Sequence, residues 1–177
     1  QHDHYVKQTY RNRCNIAGPE GVLSLSGPII RPDTPKCAMK DIRISDHGNW
    51  RHLHWNAIES AYNNTPFFEY YKDDLRPFYE NKYTFLADFN EELRCKICEL
   101  MDISPVVEHT ASYHTDFLPD EADYREVIHP KKDYTEVDKD FLPKPYYQVF
   151  ESRHGFLPNL SVIDLLFNMG PESVLVL

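Results

Sequence analysis

The chain has 177 residues, of which 41% are hydrophobic and 14% aromatic, and its formal net charge is −9. This composition can supply a hydrophobic core, and the length favours one domain over residues 1–177. The acidic balance argues against general nucleic-acid binding, which needs a basic surface. No stretch approaches the roughly 18 consecutive apolar residues of a membrane span, and we expect no signal peptide.

Charge is distributed unevenly along the chain. Residues 1–60 contain eight Lys or Arg and six Asp or Glu, whereas residues 61–177 are strongly acidic. The first third is therefore a candidate for binding an anionic ligand, while a solvated acidic surface explains the chain as a whole. Because the chain starts with Gln1, we expect the native amino-terminal segment to be missing.

Four cysteines are spread along the chain, at Cys14, Cys37, Cys95 and Cys98. Disulfide frameworks are typical of short secreted chains, so we predict reduced thiols and a cytoplasmic location. The Cys95-x-x-Cys98 pair has no second pair for a structural zinc site and no βαβ context for a redox motif, which favours two packed thiols. The sequence also lacks a P-loop and a GxGxxG fingerprint, and we expect no cofactor and no metal.

The first elements have the alternating pattern of β-structure. Residues 5–30 are predicted to form a hairpin, with the turn at Gly18-Pro19-Glu20-Gly21 and inward side chains at Cys14, Ile16, Leu23 and Leu25. A short strand is predicted over residues 41–45.

Helical periodicity begins after Asn49, the predicted N-cap, and continues on one face from Trp50 to Tyr62. A second helix is predicted from Pro66 until Pro77 interrupts it, and a third over residues 84–101.

Residues 102–147 contain many prolines and acidic residues, yet aromatic residues recur from Tyr113 to Tyr147. We predict an ordered, irregular segment that wraps the body.

The last helix has clear boundary signals. Ser161 and Asp164 match a capping box, Gly170 ends the helix, and residues 173–177 are predicted to form a strand. The expected fold is therefore mixed α/β, with a small N-terminal hairpin packed against several helices and a long irregular segment before a C-terminal helix.

A basic cluster lies near the start of the chain. Arg11 and Arg13 are two residues apart, so in a strand they point the same way and their guanidinium groups converge on a phosphate or carboxylate. Lys7 lies along the same side. The alternative is an ordinary charged face on an exposed strand.

Two histidines in the first long helix are a second candidate. His52 and His54 cannot chelate one metal ion, because residues two apart on a helix do not face each other. His54 lies on the apolar face, where it is either a hydrogen-bonded core residue or a catalytic or ligand-contacting group.

A third set of candidates lies in or beside irregular backbone, where binding residues concentrate: Arg125, Lys131, His154 and Asn159. The alternative interpretation is that these residues are ordinary charged and polar residues on the surface of an irregular segment. The Ser161 hydroxyl is not interpreted as a nucleophile, because the capping box explains it and no GxSxG elbow is present.

Three motifs in order carry a family resemblance: Tyr5-x-Lys7-Gln8-x-Tyr10-Arg11-Asn12-Arg13; Asn49-Trp50-x-x-x-His54-Trp55-x-x-Ile58-x-x-Ala61-Tyr62 with Phe67-Phe68; and Leu160-Ser161-x-x-Asp164-Leu165-Leu166-x-Asn168-x-Gly170. Together they resemble the WbqC-like proteins, a bacterial family associated with surface-polysaccharide synthesis. The third motif is the most specific. The His/Gln-Pro-x-Tyr-x-Pro-like element with which the family usually begins is absent.

The resemblance implies a transferase that modifies an amino sugar in O-antigen or related polysaccharides by attaching an amino acid such as glycine. Its ligand would be a nucleotide- or carrier-linked sugar, with phosphates at Lys7, Arg11 and Arg13, aromatic contacts from Trp50 and Tyr62, and His54 or His154 as general base. A non-catalytic protein that binds a nucleotide-sugar or a partner is the first alternative. A metal-dependent hydrolase is the second.

Overall fold

The computed structural model describes residues 2–34, 36–118, 121–132 and 142–177. It confirms a mixed α/β fold with an antiparallel hairpin near the amino terminus. The hairpin consists of β1, Arg13–Gly18, and β2, Gly21–Ser26, with Cys14 opposite Leu25. Strand β2 contributes only Leu25 to the core, because Leu23 is 44% exposed.

The prediction of β-structure before Arg13 is wrong. Gln8 has a φ of 60°, and Tyr10–Asn12 forms a 3-10 helix. The buried Thr9 starts this helix, since its hydroxyl donates to the Val6 carbonyl at 2.7 Å and accepts from the Arg11 N–H at 3.5 Å. These local hydrogen bonds offer the backbone an alternative to strand pairing.

Six α-helices lie in the described residues: α1 Trp50–Tyr62, α2 Phe68–Leu75, α3 Pro77–Glu80, α4 Leu86–Leu100, α5 Glu151–His154 and α6 Val162–Met169. Helix α1 has the predicted bounds, although Asn49 lies in the left-handed region and its side chain makes no cap hydrogen bond. Pro77 is a first-turn residue of α3, which suits its missing N–H. None of the helices described is long and apolar enough to cross a membrane.

Two other predicted strands differ from the structure. Ile42 and Ile44 are buried and Arg43 is exposed, as alternation predicts, but the segment pairs only through isolated bridges to Ile29 and Phe85. Residues Gly170–Leu175 form a 3-10 helix instead of the predicted strand. The buried Ser173 hydroxyl stabilises that turn by donating to the Gly170 carbonyl at 2.6 Å.

The segment between α4 and α5 contains no helix or strand in its described parts, as predicted; residues 119–120 and 133–141 fall outside the described chain. Its contacts are concentrated near Arg125 and Lys131, which contact the amino-terminal segment, and near Tyr146 and Gln148, which contact α6.

The largest core cluster joins the hairpin to α1, α2 and α6. Phe167 packs within 5.1 Å, between ring centroids, of both Tyr62 and Phe68. A second cluster, centred on Ile42, Ile44, Trp50 and Leu86, lies at the amino end of α1 and α4. The space next to both clusters is lined by four of the predicted site residues.

Candidate functional site

A cavity of about 110 Å³ lies where the hairpin, α1, α3 and α4 meet. Four predicted site residues line it: Arg11, Arg13, Trp50 and His54. The other polar residues that line it were not predicted as site residues from the sequence; they are Tyr10, Asn12, Cys14, Tyr79 and Asn90. The rest of the lining is mainly apolar: Leu25, Gly27, Ile44, Leu86, Phe89 and Leu93.

The two arginines reach this cavity from a 3-10 helix and from the first residue of β1. Arg11 forms an ion pair with Asp3, and its guanidinium also donates to the Arg125 carbonyl at 3.4 Å. The Arg13 Nε donates to the exposed Ser26 hydroxyl at 3.0 Å. Burial raises the pKa of Tyr5, and the positive charges of Arg13 and Arg11 oppose this change.

His54 is held among aromatic rings. Its ring makes edge contacts with Trp50 at 5.1 Å and Tyr79 at 6.4 Å, measured between centroids. Burial lowers the pKa of His54, and the Ser26 backbone partly opposes this. The imidazole is therefore neutral near pH 7, the form that accepts a proton.

The polar wall of the cavity is fixed by two asparagines. Asn12 donates to the Gly27 carbonyl at 2.8 Å and accepts from the Tyr5 hydroxyl at 3.2 Å. Asn90 on α4 donates to the Arg11 carbonyl at 2.9 Å. These bonds hold the backbone that carries Arg11 against the helices.

Two further titratable groups line the cavity in their neutral forms. Burial raises the pKa of the Cys14 thiol to about 11. Burial also raises the pKa of the Tyr79 hydroxyl, with a smaller effect from Cys14. Both groups therefore remain protonated at neutral pH.

Three more predicted residues contact the segment that carries the cavity wall. Lys131 Nζ donates to Gln8 Oε1 at 3.0 Å, and Asn159 Nδ2 donates to the Tyr10 hydroxyl at 2.9 Å. The Arg125 guanidinium lies 4.8–4.9 Å from the ring centroids of Tyr113 and Phe117. Arg125 also binds Asp123, which holds the pKa of that carboxyl near 2.

The structure places the remaining candidates elsewhere. Lys7 is exposed in the turn before the 3-10 helix. His154 lies at the hairpin turn, where its Nε2 is 2.9 Å from the Pro19 carbonyl oxygen. That turn is about 17 Å from Arg13 along β1, at 3.3 Å per residue, so His54 and His154 do not share one site.

Tyr62 belongs to a buried polar network centred on Asp164, which is 0% exposed. The Asp164 carboxylate accepts from Tyr62 at 2.8 Å, from Tyr146 at 2.7 Å and from Gln148 at 3.2 Å. Burial raises the pKa of Asp164, and the three hydrogen bonds oppose this.

The capping-box interpretation of residues 161–164 is therefore wrong. Ser161 occupies the N-cap position but makes no side-chain cap bond, and the Asp164 side chain points into the protein. Asn168, one turn later, accepts from the Val149 N–H at 3.1 Å. The most specific motif of the sequence is a structural junction between α6 and the irregular segment.

Within the described ranges, no three His, Cys, Asp or Glu side chains form a group that would hold a metal ion. His52, two residues before His54, is exposed, and its Nε2 lies 2.9 Å from Asn56 Nδ2.

Comparison with known proteins places these features in a family. Residues 1–128 match the model of the WbqC-like protein family, and the chain belongs to it. It is also similar to the uncharacterized protein Rv1507c of Mycobacterium tuberculosis, with 26% identity over 189 residues that cover 96% of this chain and 81% of that protein. No solved structure shows significant similarity to the chain.

Membership of this family points to a role in polysaccharide biosynthesis. All residues that line the cavity fall within the matched range, whereas Asp164 and Asn168 lie beyond it.

Proposed function

We propose that this protein is a transferase that modifies an amino sugar during the synthesis of O-antigen or another surface polysaccharide. The reaction is aminoacyl transfer, with glycine as a representative group. One observation carries the proposal: Arg11, Arg13, Trp50 and His54 come from separate parts of the chain and line one cavity.

The proposed ligand is a nucleotide- or carrier-linked sugar, which carries phosphate. Guanidinium groups suit phosphate because their N–H donors match its oxygens. Arg13 lines the cavity and donates to the exposed Ser26 hydroxyl, so its guanidinium group lies next to solvent. The cavity volume of about 110 Å³ is below the roughly 300 Å³ of ordinary ligand pockets. We therefore assign the cavity to the reacting end of the ligand and the phosphates to the mouth.

His54 is the proposed general base. Its neutral imidazole takes a proton from the sugar amino group as the nitrogen attacks the carbonyl of an activated aminoacyl donor. A carbon–nitrogen bond forms, and the bond to the donor's leaving group breaks with its electron pair. Three residues support this site through hydrogen bonds to the amino-terminal segment beside the cavity: Lys131 bonds to Gln8, the Arg125 carbonyl to Arg11, and Asn159 to Tyr10.

The test is the thermal stability of the chain with nucleotide-linked amino sugars. A ligand at about 100 times its Kd stabilises a protein by about 2.7 kcal/mol, which is easily measured. We expect Arg13→Gln to abolish the shift. Arg76→Gln is the matched control, because Arg76 is exposed between α2 and α3, does not line the cavity, and pairs only with Glu80 within the described chain. No shift in the unmodified chain, or an equal loss in both variants, would contradict the proposal.

One observation favours a second candidate, a protein that binds the sugar without transforming it. His54 is the only His, Asp or Glu side chain among the residues that line the cavity. The two functions separate in a His54→Gln variant supplied with sugar and aminoacyl donor. A transferase loses amide formation but retains ligand binding, whereas a binding protein forms no amide in either form.

A further inference from the structure

A pair of thiols on α4 lies outside the site described above. Cys95 is exposed and Cys98 is partly buried, and both line an open groove of about 440 Å³ with Arg94, Glu99 and Asp102. The expectation that these thiols pack in the interior is wrong for Cys95. All four cysteines of the chain are free thiols.

Both sulfurs lie against one guanidinium group. Arg94 Nη2 is 3.4 Å from Cys95 Sγ, and Arg94 Nη1 is 4.0 Å from Cys98 Sγ. Arg94 also binds both carboxylate oxygens of Glu91, at 3.0 and 2.6 Å, and the Cys95 thiol lies 3.9 Å from Glu91 Oε1. The two thiols therefore point to the same side of the helix, next to a fixed positive charge.

Helix geometry decides what this pair can do. Residues three apart on a helix have Cβ atoms about 5–6 Å apart, whereas a disulfide needs about 3.5–4.5 Å. A direct disulfide would thus require distortion in the middle of α4. A single atom bound to both sulfurs spans the larger distance without that distortion.

We infer that Cys95 and Cys98 form a two-thiolate site for a thiophilic centre, such as monovalent copper or trivalent arsenic. Thiolates are soft ligands and select soft ions of this kind. Each sulfur releases its proton as it binds, and Arg94 offsets part of the resulting negative charge.

The geometric test uses phenylarsine oxide on the reduced chain. Arsenic forms two As–S bonds, and its oxygen leaves as water with the two thiol protons, with no change of oxidation state. We expect one adduct per chain, seen by intact mass, that survives excess monothiol and is removed by a dithiol. The adduct should be lost in Cys95→Ser and in Cys98→Ser but retained in Cys14→Ser and Cys37→Ser.

The control for spacing is the double variant Cys98→Ala with Asp88→Cys. It keeps the number of thiols but places them seven residues apart, about 10 Å along the helix at 1.5 Å per residue. Asp88 is exposed, so the variant should fold, which circular dichroism checks. It should form only monothiol-labile adducts; a stable adduct in this variant would overturn the inference.

A second arm uses monovalent copper, with retention measured against a copper chelator. If the chain retains one copper ion and loses it when either cysteine is replaced, monovalent copper is a ligand of the site. If the chain forms the stable arsenical adduct but retains no copper, trivalent arsenic is the ligand. If neither probe is retained by the unmodified chain, or if retention is unchanged in Cys98→Ser, the site does not exist.

Discussion

The Tyr62 hydroxyl donates a 2.8 Å hydrogen bond to the Asp164 carboxylate, although 102 residues separate them in the chain. The same hydroxyl accepts from the Ala17 N–H at 3.1 Å. Tyr62 thus connects β1, α1 and α6 through one buried oxygen atom. Asp164 has the sequence position expected of a capping-box residue, yet it is fully buried, and the bond from Tyr62 is one of those that stabilise its carboxylate there.

Replacing Asp164 by Asn should destabilise the protein strongly. The substitution keeps the shape of the side chain but removes its charge. It also replaces one acceptor oxygen with an NH₂ group, which would face either Tyr62 or the pair Tyr146 and Gln148. Loss of hydrogen bonds to a buried charged group costs about 3 kcal/mol. Urea unfolding measures the loss. Asp88→Asn, at an exposed position on α4, should stay within about 0.5 kcal/mol of the unmodified chain.

Tyr62→Phe removes only the hydroxyl and leaves both the Ala17 N–H and the Asp164 carboxylate without that partner. We expect a loss of about 1–3 kcal/mol in the free energy of unfolding. In the double variant with Asp164→Asn, the two losses should be smaller than additive, because both substitutions break the same bond. Additive losses would show that the two residues are not coupled.

Gly170→Ala should be far more damaging than Gly48→Ala. Both glycines have positive φ, 56° and 78°, where an L side chain is strained. At Gly170 the new Cβ would also lie 2.5 Å from the Phe67 ring, whereas at Gly48 no atom lies within 4 Å. Strain alone costs about 1–2 kcal/mol, and overpacking adds about 1–3 kcal/mol. Thermal unfolding of the two variants should therefore separate them clearly; similar melting temperatures would argue against the close Phe67 contact.

The lowered pKa of His54 predicts a pH dependence of stability. Unfolded histidine titrates near pH 6.5, and the folded chain accepts this proton only at lower pH because His54 is buried among rings. As pH falls below about 6.5, the unfolded chain gains the proton first, so stability decreases until the folded-state pKa is passed. His54→Gln removes this contribution, and the stability difference between pH 8 and pH 5.5 should shrink. His52→Gln, at an exposed position, should not change that difference.

Arg125 should control the order of the irregular segment beside the cavity. Its guanidinium contacts the rings of Tyr113 and Phe117, binds Asp123, and donates to the His114 carbonyl at 2.9 Å. Arg125→Lys keeps the positive charge but loses the planar guanidinium group, which makes all of these contacts simultaneously. We expect cleavage between residues 113 and 125 to become faster in limited proteolysis, with Arg153→Lys, at the hairpin turn, as the control. An unchanged rate would show that these contacts do not restrain the segment.

Local patterns in the sequence were sufficient to predict the elements whose partners are adjacent in the chain. The turn at residues 18–21 and the alternation around Ile16 predict the hairpin, and the apolar face from Trp50 to Tyr62 predicts α1 with its bounds. Arg11 and Arg13 both line the cavity, but their spacing does not account for this, because the strand assumed for Arg11 is a 3-10 helix. Tyr79 and Asn90 could not be assigned to the same cavity, because only the packing of α3 and α4 brings them there.

By itself the sequence determined the secondary structure that depends on short-range periodicity, the acidic character of the chain and the family to which it belongs. Only the tertiary structure decided that Asp164 is a buried acceptor, that residues 170–175 form a 3-10 helix, and that His54 and His154 lie in different places. The physical reason is that the burial of a side chain, its hydrogen-bond partners and its distance from other residues depend on contacts between residues far apart in the chain. A capping box and a buried junction share one local spacing, and only the partners that surround the carboxylate distinguish them.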